Sequence, residues 1–248
     1  MTRKKYALIT GSAGGIGKAL RDKYLENDYL VIGLDYQEQV DGENFFPVQV
    51  DLAKLVRDKA YLNSILHQIK KISNTQGISV LINNAAIQIV KPFDELEFDD
   101  WSLSFDVNLH APFIFAKSFA TELGLNNGSI VNISSIHSKL TKKNFLAYST
   151  TKAALSALTR NLAIELGGAV RVNAIEPAAI STEMLKDGFK GKEDLFSELE
   201  SYHPLGRIGT PDEVADLALF LSSEKANFLH GSCVSINGGI ASCLSDPD

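Results

Sequence analysis

Seven short runs of apolar and β-branched residues punctuate the chain: Tyr6–Thr10, Leu30–Asp35, Phe46–Val50, Val80–Asn83, Ser129–Ser134, Val170–Ile175 and Ser232–Ile236. Several are near-continuous Val, Ile and Leu, the pattern of strands buried on both faces. Longer stretches of helical period separate them, near 15–27, 55–72, 99–125, 147–166 and 211–222. The last opens Thr210-Pro-Asp-Glu: an N-cap, a proline at the first helical position, then acids at the positive helix end. Strand–helix alternation of this kind predicts a doubly wound α/β fold, one parallel sheet with helices on both faces. No Pro/Gly/Ser-rich linker, long charge run or repeat divides the chain, so residues 1–248 read as a single domain. Ligands on such sheets bind beyond the carboxyl ends of the strands, and residues just after strands carry the most information.

Composition narrows the class. At 248 residues the chain is long enough for a sizeable core, and 45% hydrophobic with 22% charged residues is ordinary for a globular protein. A net charge of −6 argues against a nucleic-acid partner, which needs clustered Lys and Arg. Tyr6–Thr10 is too short for a signal-peptide core, and no stretch approaches the roughly 18 apolar residues of a membrane span. Two cysteines, Cys233 and Cys243, make no disulfide framework. Cys233 sits in an apolar strand pattern and reads as a buried reduced thiol, and a cytoplasmic location is expected.

Candidate chemistry begins at the first strand's end. Thr10-Gly11-Ser12-Ala13-Gly14-Gly15-Ile16-Gly17 leaves that strand and opens the first helix. Glycine lets a backbone turn tightly and approach a pyrophosphate, whose charge the helix-terminal N–H groups stabilise. A nucleoside-triphosphate P-loop fails at two positions: Ser12 stands where that motif needs Gly, and Ala19 where it needs Ser or Thr. The second strand ends in Asp35, roughly 20 residues on, where a carboxylate can accept hydrogen bonds from an adenosine ribose. It would also repel a 2′-phosphate, and no Arg or Lys lies in residues 10–17 or 36–39 to attract one. The predicted cofactor is NAD rather than NADP.

Tyr148-Ser-Thr-Thr-Lys152 opens an Ala-rich helix, and the four-residue spacing places Tyr148 and Lys152 on one face. A solvated helix face explains such a pair equally simply; the neighbouring Ser135, at a strand's carboxyl end, favours a site. A phenol needs roughly 4 kcal/mol to fall from a pKa of about 10 to about 7. One ammonium about 4 Å away supplies that order of energy at an effective dielectric near 20. A serine hydroxyl can hold a substrate oxygen beside the phenol.

With these residues in place, the chain resembles the short-chain dehydrogenase/reductase family from about residue 5 to about 240. Gly11, Ser12, Gly15, Ile16 and Gly17 look like the family's cofactor loop, Asp51-Leu52 like its adenine-contacting acid, and Asn83-Asn84-Ala85-Ala86 like its Asn-Asn-Ala-Gly element. Asn108, Ser135, Tyr148 and Lys152 match its catalytic tetrad, Ser135 being thirteen residues before the tyrosine. Pro177, Ile180 and Thr182 fit the segment beside the nicotinamide. The resemblance implies a Rossmann fold and an NAD(H)-dependent interconversion of a secondary alcohol (sugar, polyol or other hydroxy compound) with its ketone, without a metal. In it Tyr148 serves as acid/base and Lys152 lowers its pKa and binds the nicotinamide ribose. Ser135 orients the substrate, and Asn108 shapes a helix kink and holds a relay water. Alternatives are a 3-oxoacyl-thioester reductase and a non-catalytic NAD-binding sensor or scaffold.

Departures and the substrate side are less determined. Ala86 and Ala178 replace usual glycines, and Glu176 precedes Pro177 where a small or apolar residue is usual. Glu176 reads as a solvated edge residue, with a substrate-facing carboxylate as the other possibility. His137, Lys139, Lys142 and Lys143 lie between Ser135 and Tyr148, either as a solvated cluster or as readers of an anionic substrate. Residues 181–205 look like the family's substrate lid, with Met184, Leu185, Phe189, Leu195, Phe196 and Leu199 packing it down, and Gln88 with Ile89 forms the opposite wall. Ala153, Ala154 and Ala157 offer a small helix face, and the family commonly builds a homotetramer.

Overall fold

The computed structural model describes residues 4–244, without the side chains of Thr75 and Met184. The pocket role expected of Met184 therefore lies outside the described residues. Seven parallel strands form one sheet, β1 (Tyr6–Thr10), β2 (Leu30–Asp35), β3 (Phe45–Gln49), β4 (Ile78–Asn83), β5 (Ser129–Ile133), β6 (Arg171–Pro177) and β7 (Cys233–Ile236), in the order β3-β2-β1-β4-β5-β6-β7. The order reverses between β1 and β4, which opens the crevice where ligands of such sheets bind. Alternation along β1 shows why its sequence is uniformly apolar. Tyr6 and Leu8 enter the core on one face, and Ala7 and Ile9 enter the core on the other.

The helices are α1 (Gly15–Glu26), α2 (Leu52–Arg57), α3 (Lys59–Ser73), α4 (Phe98–Phe105), α5 (Ala111–Leu125), α6 (Leu146–Leu166), α7 (Glu183–Gly188), α8 (Glu193–Ser201) and α9 (Pro211–Ser222). On one face of the sheet, α3 and α5 bury Ile65, Ile69, Phe115 and Phe119; on the other, α1 and α9 bury Leu20, Tyr24, Val214 and Leu221. The Thr210 side chain accepts from Glu213 N while the Glu213 carboxylate accepts from Thr210 N, a reciprocal cap that starts α9.

Two expected helices are interrupted, each for a local reason. The stretch predicted over 55–72 is two helices, because the Asp58 carboxylate accepts from Ala60 N and Tyr61 N and starts α3 afresh. The stretch predicted over 99–125 carries a π-helical turn, Asp106–His110, closed by Ala111 N donating to the Asp106 carbonyl five residues back. Pro112 follows, and it has no N–H to return to the Asn108 carbonyl. Strand β6 also runs past its expected end at Ile175, through Glu176 to Pro177.

Candidate active site

The glycine turn between β1 and α1 is tight by necessity. Gly11 takes φ +69°, and a Cβ on Gly17 would lie 1.7 Å from the Gly11 carbonyl oxygen. No side chain caps α1, and no acid lies in its first turn. Its first N–H groups have no intrahelical partner, so the helix end can receive an anion. Thr182, which caps α7 by accepting from Leu185 N, sits against Gly15 and walls the turn. Ser12 differs from expectation. Its buried hydroxyl faces the Leu34 carbonyl and Gln39, so its side chain turns away from the cradle. Ile180 is likewise committed to the core, bridging Gly209.

Asp35 ends β2 with one carboxylate oxygen on Ala13 N and the other on Gln37 N, both at 2.9 Å. The acid is thus fixed beside the glycine turn. Asp51 caps α2 by accepting from Lys54 N at 3.0 Å, and the half-buried Leu52 follows it. The Thr10 hydroxyl accepts from Asn84 N and Ala85 N, while the Asn84 amide donates to the Thr10 and Gly11 carbonyls. These bonds lock the end of β4 to the turn through Thr10, the residue that opens the glycine motif.

Beyond β5 the four tetrad candidates converge. Ser135 accepts from His137 N at 3.1 Å, and its hydroxyl lies close enough to the Tyr148 phenol to favour the phenolate. Asn108 is fully buried in the π-helical turn; its side chain bonds Ile87 N and O and donates to the Thr151 hydroxyl on α6. Lys152 is only 2% exposed and donates to the Ile133 carbonyl at 2.7 Å.

Their electrostatics correct the expectation drawn from spacing. Burial pushes the Tyr148 phenol above its ordinary value, and the Ser135 hydrogen bond draws it only part of the way back. The ammonium lies 5.6 Å from the phenol ring centroid, and burial pushes its own pKa down to about 7. Desolvation outweighs pairing here, because a charge without a counter-charge is costly at this depth. An aromatic shell supports the phenol: His137 stacks on Phe145 at 4.7 Å, and both meet Tyr148 edge-on. Phe145 was missed, although its spacing three residues before Tyr148 puts both on one helix face.

The pocket side corrects two further expectations. Glu176 is not a solvated edge residue: it is 1% exposed, and its carboxylate accepts from Ser138, Ser156, Lys139 and Ser235. Lys139, though exposed, is therefore tied to a buried carboxylate, whereas Lys142 lies over the Phe145 ring and Lys143 is exposed beside it. Gln88 is exposed and Ile89 half-buried beyond β4. In the 181–205 segment Phe189 packs edge-on against Phe196, but Leu195 stays 51% exposed and no residue of α8 is buried. That segment is held less firmly than its apolar pattern implied. Cys233 is half-buried rather than buried, with a free thiol.

Comparison with known proteins agrees with this geometry. A family model described as enoyl-(acyl carrier protein) reductase matches residues 11–241. An NAD-dependent glycerol dehydrogenase from Listeria innocua is 32% identical over 244 residues, 95% of this chain and 93% of its own. A 3-oxoacyl-[acyl-carrier-protein] reductase from Aquifex aeolicus is 34% identical over 247 residues, 95% of this chain and 97% of its own. Among solved structures, the ligand-free aldohexose dehydrogenase of Thermoplasma acidophilum is 29% identical with a TM-score of 0.90, over 99% of this chain and 98% of the other.

The buried lysine has a consequence for stability. Its pKa is lowered from 10.5 to about 7 in the folded protein, so between those values the unfolded chain keeps a proton that the folded chain has released. Stability contributed at this site therefore rises with pH across that window. Lys152→Met removes the dependence, and the wild type is expected to gain on the variant as pH rises from about 7 toward 10. Urea midpoints of both proteins across that range measure it; a constant difference contradicts the shift.

Proposed function

The chain belongs to the short-chain dehydrogenase/reductase family, and we propose that it is an NAD(H)-dependent oxidoreductase interconverting a secondary alcohol, such as a sugar or polyol, with its ketone. The observation that carries this reading is the convergence beyond β5 of Ser135, buried Tyr148 and buried Lys152 one helical turn on, beside an uncapped glycine turn. A non-catalytic sensor has no use for that set. The named activities of the glycerol and aldohexose dehydrogenases favour a polyhydroxylated substrate.

The residues present fit a nicotinamide dinucleotide. Gly15, Ile16 and Gly17 would face its pyrophosphate with the backbone N–H groups that open α1, while Gly11 and Ser12, whose own N–H groups donate to the Leu34 carbonyl, would shape the turn beneath it. Asp35 would accept from the adenosine ribose, and Asp51 with Leu52 would border the adenine. Asn84, Ala85, Pro177, Ile180 and Thr182 would flank the nicotinamide half, with Tyr148 and Lys152 reaching its ribose. When bound, the cofactor supplies or accepts the hydride.

The chain's own groups handle the proton. Tyr148 donates its phenolic proton to the carbonyl oxygen in reduction and takes it back in oxidation. Ser135 holds the same oxygen by hydrogen bond, so that proton transfer occurs within reach. Lys152 stands below the ring and counters the phenolate formed when Tyr148 gives up its proton. Asn108, braced on Ile87 and Thr151, keeps the π-helical turn against α6, where a water can return the proton. His137, Gln88, Lys142 and Met184 remain the candidate substrate contacts, and 181–205 the lid of this single domain.

The similarity to an acyl-carrier-protein reductase supports a second reading, a 3-oxoacyl-thioester reductase. The net charge of −6 and Asp35 fit it less well. We also propose a cytoplasmic homotetramer. Free Cys233 and Cys243 suit a reducing compartment, and the half-buried Ala153, Ala154 and Ala157 leave α6 open to close contact. Exposed Phe220 and Phe228 extend an apolar surface beside α9.

Three measurements test these assignments. Tyr148→Phe is expected to lower kcat on a panel of secondary alcohols and ketones at least about 100-fold while NADH affinity holds; retention of more than a few per cent of kcat contradicts the assignment. Titration by nicotinamide fluorescence is expected to show much tighter NADH than NADPH binding, and Asp35→Ala to narrow the gap; tighter NADPH binding reverses the cofactor choice and favours the acyl reading. Light scattering is expected to give four times the chain mass of 27.0 kDa, and a monomeric mass overturns the assembly.

A further inference from the structure

The tetrad leaves one buried charge unexplained. Glu176 lies in β6, yet its carboxylate gathers donors from three other elements. Oε1 accepts from Ser138, in the turn that follows Ser135, and from Ser156 on α6, both at 2.9 Å. Oε2 accepts from Lys139 Nζ at 2.7 Å and, more weakly, from Ser235 on β7 at 3.4 Å. Burial alone would raise its pKa, but the bonds from Lys139, Ser156 and Ser138 outweigh that and hold the carboxyl below the usual range. The group is ionised at neutral pH.

The network also has a direction. The Ser134 and Ser156 hydroxyls are 2.8 Å apart, and Ser134 lies 3.0 Å from the Lys152 carbonyl. Each hydroxyl has one proton, and these contacts together with Ser156–Glu176 would use three. The carboxylate claims the Ser156 proton, so Ser134 must serve Ser156 or the Lys152 carbonyl as the only other donor. One anion thereby orients the Ser156 hydroxyl, which Ser134 meets beside the Lys152 carbonyl, on one side and holds the Ser135 turn on the other.

We infer that Glu176 is a positioning residue, an anionic anchor that fixes the Ser135–Lys143 segment against α6 and so sets the Ser135, Tyr148 and Lys152 geometry. It touches none of the reacting atoms and acts through Ser138, Lys139 and the Ser156–Ser134 pair. Lys139, exposed along its stem, closes the anchor from the solvent side. The same tether sets where His137 stacks, because His137 lies between Ser135 and Ser138 and packs edge-on to Tyr148.

The effect on rate rests on the functional reading above, whereas the anchor itself does not. The test compares wild type, Glu176→Gln, Glu176→Asp and Lys139→Met by hydrogen–deuterium exchange and by steady-state kinetics on the secondary-alcohol panel. Glu176→Gln is expected to speed exchange in residues 135–143 about 10-fold, as loss of a charged hydrogen bond implies, with the β1 and β4 peptides unchanged. Its kcat is expected to fall about 10- to 100-fold with KM for cofactor held, and Glu176→Asp to recover part of it. Lys139→Met, an exposed position that leaves Glu176 and its three serines in place, is expected to move both readouts the same way by less. Unchanged exchange in 135–143 overturns the anchor, as does faster exchange spread evenly over the chain. Local loosening with unchanged kcat overturns the positioning role. Should the wild type turn over no alcohol or ketone, the functional reading fails and the exchange result alone decides the anchor.

Discussion

A parallel sheet covered on both faces buries the groups at its strand ends, and each of those groups must find a partner away from water. Where β1, β4, β5 and β6 end, side chains answer that demand. Thr10 and Asn84 serve the β1 and β4 ends, and the Asn83 amide donates to Asn132, whose own amide donates to Thr159. Lys152 takes the Ile133 carbonyl, and Ser134 reaches the Lys152 carbonyl. These are the residues that border the proposed site. Its geometry is therefore inherited from satisfying the sheet, which is why a reactive group there can be held to fractions of an ångström without a loop having to order around it.

The two halves of the site use that rigidity for opposite electrostatic ends. At the glycine turn the backbone presents free N–H groups with no acid in the helix's first turn, a surface that favours negative charge at no cost in buried counter-ions. At Tyr148 the surroundings disfavour charge of either sign: the phenol is pushed up and the lysine down to about 7. A neutral phenol can give up its proton, and a lysine that titrates near neutrality can carry the charge that offsets the phenolate left behind. That balance suits an alcohol–ketone interconversion, which runs both ways and requires the acid and the base to be the same group.

Much of this was legible in the sequence because it rests on local pattern. Period-two burial with both faces apolar gave all seven strands to within a few residues, and the glycine turn, Asp35 and the Tyr148–Lys152 spacing each depend on neighbours along the chain. What could not be read depends on depth and on long-range partners. Asp58 and Pro112 interrupt helices whose hydrophobic period continues across the break. The acidity of Tyr148 was misjudged because spacing specifies an ammonium nearby but not how far both groups are from water. Glu176 was misplaced because its four donors come from three segments 38 residues before it to 59 residues after it. The Ser156 partner, four residues beyond Lys152 and on its face, was the one local trace of that network.

The substrate side resisted reading for a different physical reason. Its walls are loop positions and the amphipathic helix α8, which buries no residue. A segment held by few buried contacts can change sequence at small cost in stability, so its residues are not dictated by packing. The turn after Ser135 is the exception on that side: Glu176 binds it to the sheet and α6 from beneath while His137 and Lys142 face outward around Phe145. One edge of the proposed pocket is thereby tied to the sheet and α6 by hydrogen bonds, and the other, at α8, buries no residue. On the proposed reading, discrimination among alcohols would fall to the loosely held edge, and the geometry of proton transfer to the anchored one.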